Sequence, residues 1–453
     1  MTKNLTSGNP AKLILLFALP LIIGNVFQQL YSMADTLIVG RTIGVNALAA
    51  VGCTGSITFF VLGFVMGLTG GLSIITAQRF GAEDFEGVRR SFAVSIVVSV
   101  TSALLITLIA VPLARPFLVL LKTPAEILDA ATGYLQIIFI GTLANVAFNL
   151  LSNVIRALGD SRTPLYFLIF ACLVNIVLDF VFILGFGLGV NGAGIATIAS
   201  QLLSAILCVI YIKKKMPLLC IRRSDFHIEK SEISKHLGTA LPMGFQMSII
   251  AIGSLILQSA LNGLGAVSVA AYTAASKIDM IATMPLNSLG QAMATYCAQN
   301  YGANKMHRIR QGVFQCVCIS IGVSVLMGLM NFFLGYQLTG LFVGGGETEV
   351  LSLAQTFLRI NGCLYWVLAL LFIFRFSLQG LGNSVIPTVA GIMELIMRAI
   401  GGLLLTDLFG FTGAAVSNPL AWFGAFVPLT IAYIVSINRL DPKEPAPNPQ
   451  QVS

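Results

Sequence analysis

Apolar residues run along this chain in twelve long blocks, at residues 12–40, 52–77, 91–112, 131–153, 164–186, 192–213, 237–262, 269–298, 312–336, 351–378, 385–408 and 412–437. Each is close to the roughly twenty residues an α-helix needs to cross the hydrocarbon of a bilayer. The blocks are continuous rather than alternating, which excludes a transmembrane β-barrel. The pattern predicts an all-α membrane protein of twelve transmembrane helices. Lys3 and Lys12 before the first block imitate a secretory signal, but that block outruns signal length and contains Pro20 and Asp35, so it is read as a retained span.

The blocks repeat. Leu19-Pro20 returns as Leu241-Pro242, and Ala77-Gln78-Arg79-Phe80-Gly81-Ala82 returns as Ala298-Gln299-Asn300-Tyr301-Gly302-Ala303. Ala157-Leu158-Gly159-Asp160-Ser161 returns as Gly380-Leu381-Gly382-Asn383-Ser384, and Gly192-Ala193 as Gly413-Ala414, all at offsets of 221 to 223 residues. Such constant register marks a duplication. Six spans per repeat make the repeats parallel, related about an axis along the membrane normal, as in transporters that alternate access between two lobes. The expected organisation is two pseudo-symmetric six-helix bundles: an amino-terminal lobe at 1–213, a loop at 214–236, a carboxy-terminal lobe at 237–440, and a Pro-rich disordered tail at 441–453. Gly63, Gly67 and Gly71 form a ridge of small residues along which a neighbouring helix can pack closely. Gly81 and Gly302 read as helix C-caps.

Composition agrees with the blocks: 57% of residues are apolar, 10% are charged, and the mean hydropathy is +0.90. The formal net charge of +8 is a topology signal rather than a nucleic-acid footprint. Taking alternate connections as one side, basic residues including Arg79, Arg89, Arg90, Arg156, Lys213, Lys214, Lys215, Lys305, Arg308 and Lys443 fall together, and Arg41, Arg115 and Lys122 oppose them. The positive-inside rule then puts both termini and the 214–236 loop in the cytoplasm of a multi-pass plasma-membrane protein, expected to be a monomer whose only other partners are small molecules and lipid. The eight cysteines show no C-x-x-C spacing and read as small packing residues. His227, His236 and His307 are all placed in cytoplasmic connections, which leaves no intramembrane histidine for metal or acyl chemistry.

Charge inside the blocks carries the chemistry. Asp35 interrupts the first one, and a carboxylate at bilayer depth costs about 2.5–3.5 kcal/mol, so it marks a route for an ion or substrate. Gln28, seven residues earlier, shares its face, and Pro20 is a point of helix bending. In the fifth block Asn175 and Asp179 share a face at i,i+4, and Thr197 lies in the sixth. Counting about 1.5 Å per residue from the outer ends puts Asp35, Asp179 and Thr197 at one depth, roughly 7–9 Å below the surface. Two carboxylates, an amide and a hydroxyl can surround a proton or a small hard cation. Two acids in low dielectric resist double ionisation and so exchange a proton, whereas sodium stabilises the charged pair. The duplication does not repeat the acids, since Asp35 maps to Leu257 and Asn175 to Arg398. In the second half Glu394 and Arg398, at i,i+4, read as a buried pair. Gln28, Gln29, Lys277, Asp279 and Met280 are candidates to line a cavity, and Met243, Met247, Met280, Met284 and Met293, at helical spacings, read first as core packing and second as a soft, adaptable substrate surface.

On these residues the chain resembles the multidrug and toxic compound extrusion (MATE) transporters over essentially its whole length. The resemblance rests on Leu-Pro opening the first and seventh spans, on Gln28-Gln29-Leu30-Tyr31 leading to Asp35, on the repeated Ala-Gln-x-[Phe/Tyr]-Gly-Ala ends, and on Asn175 with Asp179. In the DinF-like bacterial branch, the resemblance implies a cation-coupling site for H+ or Na+ at Asp35, Asn175, Asp179 and Thr197, with Na+ as the only metal, no other cofactor, and Pro20 as the bend. It implies secondary antiport that exports amphipathic or cationic drugs. A lipid-linked oligosaccharide flippase of the same architecture is the alternative, expected to show a more cationic cavity. A membrane enzyme would need a nucleophile, base or metal set that the spans lack, and with no G-x-x-x-x-G-K-[ST] the chain does not hydrolyse nucleotide.

Overall fold

The computed structural model describes residues 4–343 and 347–440; Lys3, Lys443 and the tail at 441–453 lie outside them. The regular elements among the described residues are all helices, with no strand. The helices are α1 (Pro10–Thr42), α2 (Val45–Gly81), α3 (Phe85–Leu120), α4 (Ala125–Ile140), α5 (Thr142–Ala157), α6 (Arg162–Phe180) and α7 (Gly189–Lys215), followed by α8 (Lys230–Gly263), α9 (Ala266–Gly302), α10 (Met306–Val343), α11 (Thr348–Cys363), α12 (Tyr365–Gly380), α13 (Val385–Ile400), the short α14 (Thr406–Phe409) and α15 (Phe411–Leu440). Nine of the described helices are long and apolar enough to cross a membrane, and counting each bent pair as one span brings the number to eleven. The remaining long helix, α9, has 37 residues and coincides with the eighth apolar block.

Two predicted spans are not single helices. The block at 131–153 bends by 46° at Gly141 between α4 and α5, and the block at 351–378 by 52° between α11 and α12. At these joints side-chain packing outweighs the local propensity to continue a helix: a Cβ on Gly141 would sit 2.2 Å from Ile198 Cγ1, so α7 presses against the bend. The predicted 214–236 loop is also shorter. α7 runs to Lys215, 3₁₀ turns occupy Pro217–Leu219 and Arg223–Phe226, and α8 starts at Lys230. His236 therefore lies within a helix and not in a connection; it is fully buried, with Nε2 2.9 Å from Ser91 Oγ.

The duplication is visible in the backbone. Left-handed residues recur as Glu83 and Asn304 (φ 58° and 55°) and as Gly159 and Gly382 (φ 87° and 86°). Turns of π-helix recur at Val181–Gly185 and Gly401–Leu405. Polarity is inverted relative to a soluble protein. Thr69, Thr76, Ser91 and Gln299 are fully buried, whereas Leu108 on the lipid-facing side of α3 is 74% exposed.

The two halves of the chain meet along α2, α8 and α9. The predicted ridge on α2 is used: a Cβ on Gly67 would lie 2.2 Å from Met243 O, and one on Gly71 2.5 Å from Ala240 Cα, so the backbones of α2 and α8 touch. Gly81 and Gly302 are not left-handed caps. The residue that follows each has φ of −77°, and both glycines mark the place where α2 and α9 cross. A Cβ on Gly81 would lie 1.9 Å from Gln299 O, and one on Gly302 1.8 Å from Gln78 O. Two repeat-related amides bind across this crossing, Gln78 Nε2 donating to Gly380 O (2.9 Å) and Gln299 Nε2 to Ala157 O (2.8 Å). The amide N–H of Leu5 donates to Gln299 Oε1 at 2.9 Å, which seats the N-terminal segment against the same closure. One end of the space between the halves is thus shut by backbone contact and matched hydrogen bonds.

Candidate functional site

The acids predicted to share a depth do meet. α1 supplies Tyr31 and Asp35, α6 supplies Asn175 and Asp179, and α7 supplies Thr197. Asn175 and Asp179 are fully buried and Asp35 is 9% exposed. With its amide turned to satisfy both neighbours, Asn175 donates to Asp179 Oδ2 at 3.0 Å and accepts from the Thr197 N–H at 3.1 Å. The Tyr31 hydroxyl donates to Thr197 Oγ1 at 3.2 Å. The Asp35 and Asp179 carboxyls are close enough to interact electrostatically, and Oδ1 of each is buried without a donor. Neither acid has a basic partner among the described residues. Just beyond Asp179 the helix passes into the π-turn at Val181, and such turns recur at functional positions because they redirect side chains.

This cluster opens on a cavity of ≈ 150 Å³ lined by Tyr31, Asp35, Tyr134, Asn145, Thr197 and Gln201. Tyr31, Asn145 and Gln201 also line a second chamber, of ≈ 130 Å³, which reaches Pro20, Gln28 and Arg156. That chamber shares Asn149, Arg156 and Gln291 with a central cavity of ≈ 370 Å³ between the halves. Polar walls therefore connect the acids to the largest of these spaces.

The remaining predicted residues separate. Gln28 lines the middle chamber. Gln29 donates to Met280 Sδ at 2.8 Å and ties the halves together; neither residue lines the central cavity. Lys277 is exposed, and Asp279 accepts from the Tyr365 hydroxyl at 2.7 Å, which itself accepts from Asn331 Nδ2 at 2.7 Å. Of the methionines, Met243 and Met247 reach the central cavity, while Met284 and Met293 are core residues. Pro20 is buried inside an uninterrupted α1. The Glu394–Arg398 pair does not form: Glu394 is taken by Arg375 of α12, and Arg398 reaches Ser254 Oγ at 3.5 Å. Helical spacing made i,i+4 pairing possible, but α12 brings a guanidinium nearer.

Reading the sequence missed Arg156 as a cavity residue, because its place near a span end suggested a cytoplasmic connection. It lies in the last turn of α5 and lines both the middle chamber and the central cavity. Tyr134 was missed too; its apolar neighbours gave no signal.

Comparison with known proteins is consistent with this architecture. A family model described as MatE matches the chain twice, at residues 20–181 and 242–404. The chain is 31% identical over 357 residues to the probable multidrug resistance protein YpnP of Bacillus subtilis, covering 79% of each. It is 27% identical over 387 residues to the probable multidrug resistance protein YoeA of the same organism, covering 84% of this chain and 83% of that one. Among solved structures it is similar to an outward-facing multidrug resistance MATE family transporter of the MOP superfamily, with a TM-score of 0.89 at 22% identity, over 97% of this chain and 98% of that chain.

Proposed function

Because this chain belongs to the MatE family, whose members are secondary transporters and not enzymes, we propose that it is an antiporter that exports amphipathic compounds in exchange for H+ or Na+, alternating access between two lobes. The carrying observation is the acid pair. Asp35 and Asp179 face each other with an orphaned Oδ1 on each and no basic neighbour, a pairing of like charge that calls for a proton or a cation between them. Asn175 and Thr197 fix the geometry, and Tyr31 closes the set.

The ion acts by population shift. A site that binds it better in one state than in the other moves the equilibrium by that difference in affinity and no more. Pulling α1 against α6 and α7 through Asp35 and Asp179 changes the helix that also lines the chambers leading to the central cavity, at Leu21 and Gly24. Substrate and ion then exclude one another. The central cavity carries three arginines against one carboxylate, the cationic lining expected of the flippase alternative, but the relatives, described as probable multidrug resistance proteins, do not favour that reading.

The test is drug accumulation in cells that express the protein, with and without an ion gradient. Asp35→Asn keeps the volume and removes charge exchange, and is expected to abolish ion-driven export while the protein still inserts. Resistance equal to wild type at equal expression would refute the assignment. Dependence on ΔpH or on sodium separates the two ions.

A further inference from the structure

The central cavity carries three arginines, Arg156, Arg375 and Arg398, against one carboxylate, Glu394, a formal excess of two positive charges. Arg375 is engaged by Glu394. Arg156 and Arg398 have no carboxylate partner among the described residues: Arg156 donates to Asn153 Oδ1 at 3.4 Å and Arg398 to Ser254 Oγ at 3.5 Å, both long contacts to neutral groups. Nε of each is buried without an acceptor, and Arg398 is only 9% exposed. Its arm lies in a groove left by Gly253 of α8, where a Cβ would approach Arg398 Cδ and Nη1 to 3.4 Å. An uncompensated guanidinium in such surroundings is costly, and its planar donors suit the oxygens of carboxylate, sulfonate or phosphate. The same walls present Phe17, Phe59, Phe372 and Trp422, an apolar surface for the rest of a ligand, and ≈ 370 Å³ falls in the range of small-molecule sites, about 300–1,000 Å³.

We infer that the compound taken by the central cavity is an amphipathic anion, its acidic group drawn to the guanidiniums of that cavity without a carboxylate partner among the described residues, Arg156 from the first half of the chain and Arg398 from the second, its apolar body against the aromatic wall. The inference rests on the transport reading above and narrows its substrate class. Neutralising Asp35 and Asp179 would not by itself repel an anion, so exclusion between ion and substrate runs through the conformational equilibrium.

The test uses the purified full chain in neutral detergent micelles with two probes of one apolar body and opposite charge, pyrenebutyrate and pyrenylbutyl-trimethylammonium. Energy transfer from Trp422 reports binding in a Trp366→Phe background. Pyrenebutyrate is expected to bind about tenfold or more tighter than the ammonium probe, the scale of one or two charge-assisted hydrogen bonds. Arg156→Gln and Arg398→Gln are each expected to weaken it about tenfold and to leave the ammonium probe unweakened, while Arg398→Lys keeps most of the preference. Wild-type protein that binds the ammonium probe as well or better overturns the inference, as does an equal loss of both probes in the glutamine variants. Displacement of pyrenebutyrate by phosphatidylglycerol but not phosphatidylcholine assigns the anion to a lipid headgroup; no displacement by either assigns it to a soluble compound. Ion-dependent export that persists in a protein preferring the ammonium probe overturns this inference alone, and anion preference without any ion dependence overturns antiport alone.

Discussion

Gly302→Ala should open the end of the molecule that the α2–α9 crossing shuts. The added Cβ would lie 1.8 Å from Gln78 O, and reaching ordinary contact at 3.4 Å requires the helices to separate by about 1.6 Å. The obstacle is a helical carbonyl oxygen, which cannot swing aside as a side-chain tip can. That separation stretches Gln78 to Gly380 and Gln299 to Ala157, at 2.9 and 2.8 Å, beyond bonding range. The Leu5 N–H stays with Gln299, because Asn300 and Arg308 hold the Leu5 carbonyl on the same half of the chain. At about 1 kcal/mol per neutral hydrogen bond, the two losses disfavour the closed end by about 2 kcal/mol, a shift of roughly thirtyfold in population. The assay is maleimide labelling of Thr295→Cys, whose side chain faces the central cavity, in a background without the native cysteines and in sealed vesicles of known orientation. Labelling from the side that bears Gly302 is expected to accelerate at least tenfold, with an unchanged gel-filtration profile. An unchanged rate would show that the backbone contact does not hold the closure.

Asp179→Asn removes one acid and one anionic ligand, so substrate binding to the purified variant should lose its dependence on pH or sodium; the wild type should bind more weakly as pH falls and the acid pair fills with protons, or as sodium is added at fixed pH. A variant that responds as the wild type does would move the coupling site elsewhere. Arg375→Met leaves Glu394 buried and unpaired and should destabilise the protein by about 3–5 kcal/mol, with Arg375→Met/Glu394→Gln recovering most of the loss in thermal unfolding; additive losses would contradict the pairing. Single cysteines at Lys214 and Arg308 should be labelled only from the cytoplasm and one at Lys122 only from outside, and reversed labelling would overturn the charge-based topology. Asn175→Leu should weaken ion dependence while sparing membrane insertion, because Asn175 is the hydrogen-bonded link between Asp179 and the Thr197 backbone.

Sequence alone was enough for the class, the number of apolar runs, the duplication and the acid cluster. Each depends on a local rule: bilayer thickness sets run length, and a carboxylate in an apolar run is costly wherever the helix goes. Depth followed from helical rise, which is why Asp35, Asp179 and Thr197 could be placed together before their neighbours were known. The ridge at Gly67 and Gly71 was legible because small residues every fourth position leave one face bare, although its partner on α8 was not.

Tertiary structure decided the pairings that depth and helical spacing left open. Glu394 has Arg398 one turn away on its own helix, yet Arg375 arrives from α12 and takes it. That frees Arg398 to face a cavity which sequence spacing had closed to it. Gly81 and Gly302 look like caps because glycine ends helices, but the contact that needs them comes from residues some 220 positions distant in the chain. Arg156 passed for a loop charge, yet it lies in the last turn of α5 and lines the middle chamber and the central cavity. Helical periodicity reports which residues share a face; only the packing of helices fixes what that face is turned toward, because the deciding contacts are between residues with no sequence relation to one another.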